Sequence, residues 1–83
     1  MKFLAKNVLI YSTAVCPYCE MTKKLFKEHN VEYKEIRVDQ NPTAAREMVE
    51  KSGQMGVPVI EIDGQIIVGF NRSALLKALG LSS

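Results

Sequence analysis

Apolar and polar residues follow one another along this chain with two different periods. Short apolar runs that alternate with polar residues, or that are partly β-branched, are typical of strands. Stretches in which apolar residues recur every three or four positions are typical of amphipathic helices. We therefore predict strands over residues 7–12, 32–38, 59–62 and 65–68. We predict helices over residues 17–30, 42–52 and 72–80.

Residues with known cap and turn preferences mark several ends of these elements. Asn41 and Pro42 fit the N-cap and the first position of the second helix, and Gly53 fits its C-cap. The dipeptide Asp63-Gly64 is a strong signal for a two-residue hairpin turn, so the last two strands should be antiparallel. The third helix should follow Asn71 as N-cap and end at Gly80.

Each predicted helix carries apolar residues that should face a core. These residues are Met21, Leu25 and Phe26, then Ala44, Ala45, Met48 and Val49, and finally Leu75, Leu76 and Leu79. A right-handed crossover makes the first two strands parallel, and the hairpin adds two more. The order β-α-β-α-β-β-α thus predicts an α/β fold, a four-stranded mixed sheet with helices on both faces. With 83 residues, 47% of them hydrophobic, the chain should form a single domain over residues 1–83.

The charge distribution excludes some classes of function. The net charge is +2, from eleven basic and nine acidic residues that are interspersed, which argues against a nucleic-acid groove. No apolar run approaches the ~18 residues of a membrane span. Lys2 and Lys6 precede a short apolar run without a small-residue cleavage site, so we interpret that run as the first strand and not a signal peptide. We expect a cytoplasmic monomer that binds neither nucleic acid nor membrane.

The clearest candidate chemistry lies in Cys16-Pro17-Tyr18-Cys19, which contains both cysteines of the chain. The tetrapeptide lies between the first predicted strand and the first predicted helix. A Cys-x-x-Cys beside such a pattern is the redox signature of a thioredoxin-like fold. Pro17 suits the first helical position, where its missing N–H is not needed. Cys16 should therefore lie near the unpaired amides of the helix N-terminus, with Cys19 in the first turn.

This position predicts an activated thiol at Cys16, because only the thiolate attacks disulfides. Lowering a thiol pKa by about two units requires roughly 2.7 kcal/mol of preference for the thiolate. A helix dipole supplies only about 0.3–1 kcal/mol. Hydrogen bonds from the amides of Tyr18 and Cys19, with about 1.5–3 kcal/mol for a charged acceptor, should supply most of the rest. We expect the deeper Cys19 to attack Cys16 in the mixed disulfide and release reduced substrate.

Three other uses of the cysteine pair compete with this interpretation. A structural disulfide across so short a loop gains only about 2 kcal/mol. Zinc needs four ligands, whereas the chain offers Cys16, Cys19 and His29, so a second subunit would be required. An iron–sulfur cluster shared between two chains has the same requirement, and it would make the protein a cluster-carrying binding module.

The motif, the Val57-Pro58 dipeptide, the hairpin and the turn at Gly69 together resemble a glutaredoxin over residues 7–81. The resemblance implies a thioredoxin fold and thiol–disulfide exchange on protein or glutathione mixed disulfides, with glutathione as reducing co-substrate and no bound metal. It also implies a cis bond before Pro58, with the Val57 backbone opposite Cys16. The substrate-contacting residues that it implies are Pro17, Tyr18, Gln54, Val57, Pro58, Gly69, Phe70, Asn71 and Arg72.

Several positions depart from the glutathione-specific pattern of that family. Thr13 stands where a lysine usually contacts a glutathione carboxylate, and Val68 replaces the first glycine of a Gly-Gly pair. Gly56 replaces the threonine of the usual Thr-Val-Pro. The Gly69-Phe70 turn resembles glutaredoxin-like redoxins that take electrons from thioredoxin reductase, including donors to ribonucleotide reductase. The expected partners are therefore disulfide-containing or glutathionylated proteins, with glutathione or thioredoxin reductase as the electron source.

Overall fold

A computed structural model describes residues 7–81 of the chain. Lys2 and Lys6, which precede the first predicted strand, lie outside the described residues. The strands are β1 (Val8–Ser12), β2 (Lys34–Arg37), β3 (Val59–Ile62) and β4 (Gln65–Val68). The helices are α1 (Pro17–Glu28), α2 (Pro42–Ser52) and α3 (Arg72–Ala78). The element order is the predicted one.

The four strands form one mixed sheet in the order β2-β1-β3-β4. β1 runs parallel to β2 and antiparallel to β3, and the hairpin makes β4 antiparallel to β3. Ser12 pairs with Arg37, and Val59 pairs with both Tyr11 and Val68. The segments that follow β1, β2 and β4, and the segment that precedes β3, therefore meet at one end of the sheet. We call it the upper end; it comprises residues 13–16, 38–39, 57–58 and 69–71.

Helices cover both faces of the sheet, as predicted, because successive strand side chains point to opposite faces. On one face, Ile10 and Ile60 pack with buried residues of α1 and α3, among them Phe26 and Leu75. On the other face, α2 packs on a smaller cluster that includes Tyr11, Val59, Ala44 and Met48. Since Cys16 and Cys19 both belong to the larger cluster, the start of α1 is anchored in the main core.

The predicted caps are present. Asn41 Oδ1 and Asn71 Oδ1 each accept a hydrogen bond from the amide three residues further on, at 3.0 Å and 3.1 Å. Gly53 ends α2 in the left-handed conformation, with φ 75°. Asp63 and Gly64 also have positive φ, 49° and 91°, as a tight hairpin turn requires.

Four elements are shorter than predicted. β1 begins at Val8 instead of residue 7, and α3 ends at Ala78, with Leu79 as its C-cap, instead of at Gly80. β2 begins at Lys34, because Tyr33 turns toward α1 and packs its ring on Phe26, with ring centroids 5.3 Å apart. α1 ends at Glu28, because Asn30 adopts a left-handed φ of 58° that a helix cannot continue through.

The prediction that Met21 faces the core is wrong. Its side chain is 45% exposed, whereas the buried residues of α1 are Cys19, Thr22, Leu25 and Phe26. Met21 lies beside that buried stripe and lines a surface groove. The exposure of Met21 shows that the apolar stripe is narrower at the start of α1 than its sequence pattern indicates.

Candidate active site

Cys16 and Cys19 form a disulfide at the start of α1, with their Cα atoms 5.2 Å apart. Cys16 is the N-cap, with an extended backbone, and Pro17 takes the first helical position as predicted. The Cys19 amide donates a hydrogen bond to Cys16 Sγ at 3.1 Å. The second bond that we expected, from the Tyr18 amide, does not form in this oxidised state within residues 7–81.

The two cysteines differ in accessibility. Cys16 keeps 8% of its surface exposed and Cys19 keeps none. The neighbours of Cys16 are far more exposed, Val15 at 89% and Tyr18 at 60%. A reaction partner therefore reaches Cys16 first, through an apolar rim, while Cys19 lies beneath it in the core.

The loop before Cys16 is tethered by a residue that the sequence analysis missed. The Ala14 amide donates a hydrogen bond to Asp39 Oδ2 at 3.2 Å. The Arg37 guanidinium holds the same carboxylate through two bonds of 2.8 Å and 2.7 Å. Those bonds from Arg37, with a smaller contribution from the Ala14 amide, lower the pKa of Asp39 to about 2. The parallel pairing predicted for the first two strands could have identified Asp39, because it brings the ends of both strands together.

A polar chain connects α1 to the sheet just below this loop. The fully buried Ser12 donates its hydroxyl hydrogen bond to Glu35 Oε2 at 2.6 Å. Lys23 Nζ of α1 donates to the same oxygen at 3.0 Å and also pairs with Glu20. The Ser12 bond, followed by Lys23, lowers the pKa of Glu35, and Glu20 is the main reason that the pKa of Lys23 is raised. These contacts orient the helix whose N-terminus carries the cysteines.

The second loop of the upper end contains Val57 and Pro58. The bond between them is cis, as the resemblance implied. Pro58 is buried, and its carbonyl accepts a hydrogen bond from the Gly69 amide at 2.8 Å. The backbone N–H and C=O of Val57 have no partner in the part of the chain that the structure describes. Because β1 and β3 are antiparallel neighbours, this unpaired backbone lies at the same end of the sheet as Cys16.

The remaining predicted contact residues fall into two groups. Gln54 and Asn71 have polar side chains already engaged, Gln54 with the Gly56 backbone and Asn71 as the N-cap of α3. Phe70 and Arg72 instead line a groove of about 230 Å³ against α1. The upper end thus places the cysteine pair, the Val57 backbone and the Gly69 turn together, while the Arg72 groove extends along the helix.

Other candidate features lie away from the cysteines. A groove of about 440 Å³ lies at the opposite end of the sheet, lined by Asn7, Tyr33 and Gly64 among others. Residues 7–81 contain no group of three or more His, Cys, Asp or Glu side chains that is suited to a metal ion. Across the same range, no helix has both the length and the apolar character needed to cross a membrane.

A helix-capping Cys-x-x-Cys beside an unpaired backbone segment, on a mixed four-stranded sheet, defines a dithiol protein of the thioredoxin-like class. A mutant of the thioredoxin-like protein BC3987 has a solved structure of the same fold, with a TM-score of 0.86 and 27% identity. That match covers 93% of this chain and 99% of the other. The glutaredoxin family model matches residues 8–67. The chain therefore belongs to the glutaredoxin family and is a glutaredoxin-like thiol oxidoreductase.

Three curated relatives are similar over most of their length. A glutaredoxin-like 8.6 kDa protein of Clostridium pasteurianum is 43% identical, over 87% of this chain and 96% of its own. Glutaredoxin 3 of Escherichia coli K12 is 39% identical, over 89% of both chains. The glutaredoxin-like protein NrdH of Lactococcus lactis is 40% identical, over 84% of this chain and 96% of its own. The relatives thus include a glutaredoxin and two proteins described as glutaredoxin-like.

Proposed function

We propose that this protein reduces protein disulfides and glutathione mixed disulfides by dithiol exchange, with Cys16 as nucleophile and Cys19 as resolving thiol. The observation that carries the proposal is the disulfide at the N-terminus of α1, with Cys16 at its accessible position and Cys19 buried. The bond from the Cys19 amide to Cys16 Sγ supports the assignment, because the same amide favours a thiolate on that sulfur.

The exchange proceeds in two steps from the reduced protein. The Cys16 thiolate attacks one sulfur of the substrate disulfide, which forms a mixed disulfide and releases the other substrate sulfur as a thiolate that takes up a proton. Cys19 then loses its proton and attacks Cys16 Sγ, which releases the second substrate thiol and closes the Cys16–Cys19 disulfide. The substrate gains two electrons and the cysteine pair loses two.

The substrate is held by its backbone against Val57. The N–H and C=O of Val57 are unpaired and can form one antiparallel pair with the residue that carries the substrate sulfur. Tyr18 is exposed next to the cysteine pair, Phe70 follows the Gly69 turn at the same end of the sheet, and the exposed Arg72 side chain at the start of α3 is available for a carboxylate. Both glutathione and a protein segment meet these requirements, since each presents a cysteine within a peptide backbone.

Glutathione is the proposed reductant, with thioredoxin reductase as the second candidate. The similarity to glutaredoxin 3 of Escherichia coli favours glutathione. The similarity to NrdH of Lactococcus lactis, together with Thr13 and Val68, favours a redoxin of the kind that donates electrons to ribonucleotide reductase. In either case two electrons must reduce the Cys16–Cys19 disulfide after each turnover.

The test follows NADPH oxidation during disulfide reduction, with glutathione plus glutathione reductase in one assay and thioredoxin reductase in the other. Turnover in the first assay is expected. It would show that glutathione binds beside Val57 although Thr13 stands where a lysine usually contacts it. Turnover with thioredoxin reductase alone would assign the second candidate. Absence of turnover in both assays, with a reduced protein that also fails to reduce a peptide disulfide directly, would contradict the proposal.

We further propose that residues 1–83 act as a single-domain monomer in the cytoplasm. The two core clusters share one sheet, which supports one folding unit. In a reducing compartment a cysteine pair is usually catalytic and not structural, and a catalytic role for Cys16 and Cys19 therefore agrees with a cytoplasmic location. Sedimentation of the reduced protein would test the monomer.

A further inference from the structure

The side chain of Gln54 is bound to the backbone two residues ahead of it. Its Nε2 donates to the Gly56 carbonyl at 2.9 Å, and its Oε1 accepts from the Gly56 amide at 2.8 Å. Both functional groups of the Gln54 amide and both backbone groups of Gly56 are therefore used in one two-point contact. We call this contact the Gln54–Gly56 clamp.

The clamp is fixed to the end of α2 by Ser52. The Ser52 hydroxyl lies 2.7 Å from the Met48 carbonyl oxygen and 2.9 Å from the Gln54 carbonyl oxygen, both acceptors for its hydrogen. Its oxygen accepts from the Gln54 amide at 3.3 Å. The loop from Gly53 to Pro58 is thus held at both ends, by Ser52 at one and by the Gly69 amide on Pro58 at the other.

The clamp occupies the backbone of the residue directly before Val57. The N–H and C=O of Gly56 are occupied, and the Pro58 carbonyl is bound to Gly69 while its nitrogen carries no hydrogen. Between Gly56 and Pro58, the Val57 backbone has both a donor and an acceptor without partners among residues 7–81. A substrate backbone can therefore pair with Val57, whereas the N–H and C=O of Gly56 are already used by Gln54.

We propose that Gln54 is a positioning residue that presents the Val57 backbone to the substrate backbone by holding Gly56 beside it. The proposal rests on the function proposed above, and it replaces the direct substrate contact expected for Gln54 from the sequence. Its amide acts through Gly56, because both of its polar atoms are already used there. Loss of the clamp should weaken substrate binding without changing the chemistry of Cys16.

The first test uses Gln54→Met, which keeps the length of the side chain and removes both hydrogen bonds. The pre-reduced protein is mixed with a glutathionylated peptide, and release of the peptide thiol is followed over a range of peptide concentrations. We expect the half-saturating concentration to rise about five- to tenfold, as for loss of ordering hydrogen bonds. The maximal rate and the pKa of Cys16, read from thiolate absorbance, should not change. Gln65→Met is the control, because the exposed Gln65 lies on β4 at the other end of the hairpin strands.

A second variant breaks the clamp from its other side. A Cβ on Gly56 would lie 2.9 Å from Gln54 Oε1, too close, so the flexible end of the glutamine must move away. Gly56→Ala should therefore raise the half-saturating concentration as Gln54→Met does. In the double variant the two effects should not add, because each change removes the same contact. The urea midpoints of all variants show whether folding is preserved.

Three results would overturn the proposal. If Gln54→Met had the half-saturating peptide concentration of the wild type, the clamp would not present Val57. A lower maximal rate with a shifted Cys16 pKa would mean that Gln54 supports the thiol instead. Additive effects, or a wild-type result for Gly56→Ala alone, would mean that the Gln54 side chain contacts the substrate directly. Failure of the proposed function is distinct, because the wild-type protein would then release no peptide thiol.

Discussion

Two loops meet at the upper end of the sheet, and they are held in similar ways but leave different groups free. In the loop before α1, Asp39 binds the Ala14 amide and the helix start binds Cys16, so an accessible sulfur remains. In the loop before β3, Gln54 binds Gly56 through two hydrogen bonds, so an unpaired backbone at Val57 remains.

We infer from this difference that the first loop governs the reactivity of the thiol and the second loop governs the binding of the substrate. In the proposed function the first loop presents the nucleophile, and its supporting contacts act on the position and charge of one sulfur. The second loop presents a donor and an acceptor with fixed spacing, and its supporting contacts act on the partner's backbone. Changes in the first loop should therefore alter the maximal rate and the pKa of Cys16. Changes in the second loop should alter the half-saturating substrate concentration.

Removal of the sulfur from the first loop should have the largest effect on disulfide exchange in this series. Cys16→Ser should reduce exchange to the uncatalysed background, because a serine hydroxyl is not ionised at neutral pH and cannot form a disulfide. Release of thiol from a glutathionylated peptide measures the loss. Residual exchange that depends on Cys19 would reverse the assigned roles of the two cysteines.

Cys19→Ser should have the next largest effect, and a more selective one. The first step should survive, so a mixed disulfide should accumulate on Cys16, since no second thiol releases it. Mass spectrometry of the protein after mixing with a peptide disulfide detects the adduct. Reduction of glutathionylated substrates should persist in part when free glutathione is present, whereas loss of adduct formation would place the attacking thiol at Cys19.

Asp39→Ala tests whether the tether on the first loop supports reactivity. We expect the maximal rate to fall about three- to tenfold, as for loss of one hydrogen bond that orders a loop, with the half-saturating substrate concentration unchanged. Single-turnover thiol release measures both quantities. Glu50→Ala, an exposed change on α2, is the control. A change in the half-saturating concentration alone would assign Asp39 to substrate binding. The two loops would then not have separate roles.

The same carboxylate should give the fold a contribution that depends on pH. The pKa of Asp39 is lowered to about 2 from its usual value near 3.8, so its ionised form favours the folded state. The contribution is present in full above the unfolded value and is lost as the pH falls from about 4 toward 2. Urea unfolding across that interval should show a steeper loss for the wild type than for Asp39→Asn, and equal slopes would contradict the tether.

Arg72→Ser should have the smallest effect in this series. Arg72 is exposed at the start of α3, and exposed charge interactions contribute about 0–1 kcal/mol, which corresponds to less than about a fivefold change. We expect a modest rise in the half-saturating concentration of a glutathionylated substrate that weakens with added salt. Arg46→Ser, on α2 and also exposed, should show none. Equal effects of both variants would mean that Arg72 acts only through net charge.

Local chemistry explains why much of the fold was predictable from the sequence. Asn41, Gly53 and Asn71 have side chains or backbone freedom that suit only certain positions, and each occupies the predicted cap. The Asp63-Gly64 turn determines the pairing of β3 with β4 by the same kind of short-range preference. The bounds of an element were predicted less well where a contact with a distant residue matters. The ring of Tyr33 packs on Phe26, and β2 begins only after Tyr33.

The element order, the cysteine motif at the start of a helix and the greater depth of Cys19 could all be predicted from the amino-acid sequence. All of these depend on residues a few positions apart, whose preferences do not need the rest of the molecule. The contacts of Asp39 with Ala14 and of the Gly69 amide with Pro58, and the free backbone at Val57, became evident only from the three-dimensional packing. These features depend on which strands are neighbours and which groups the packing leaves unpaired, and hydrogen bonds between distant segments have no signature in local sequence.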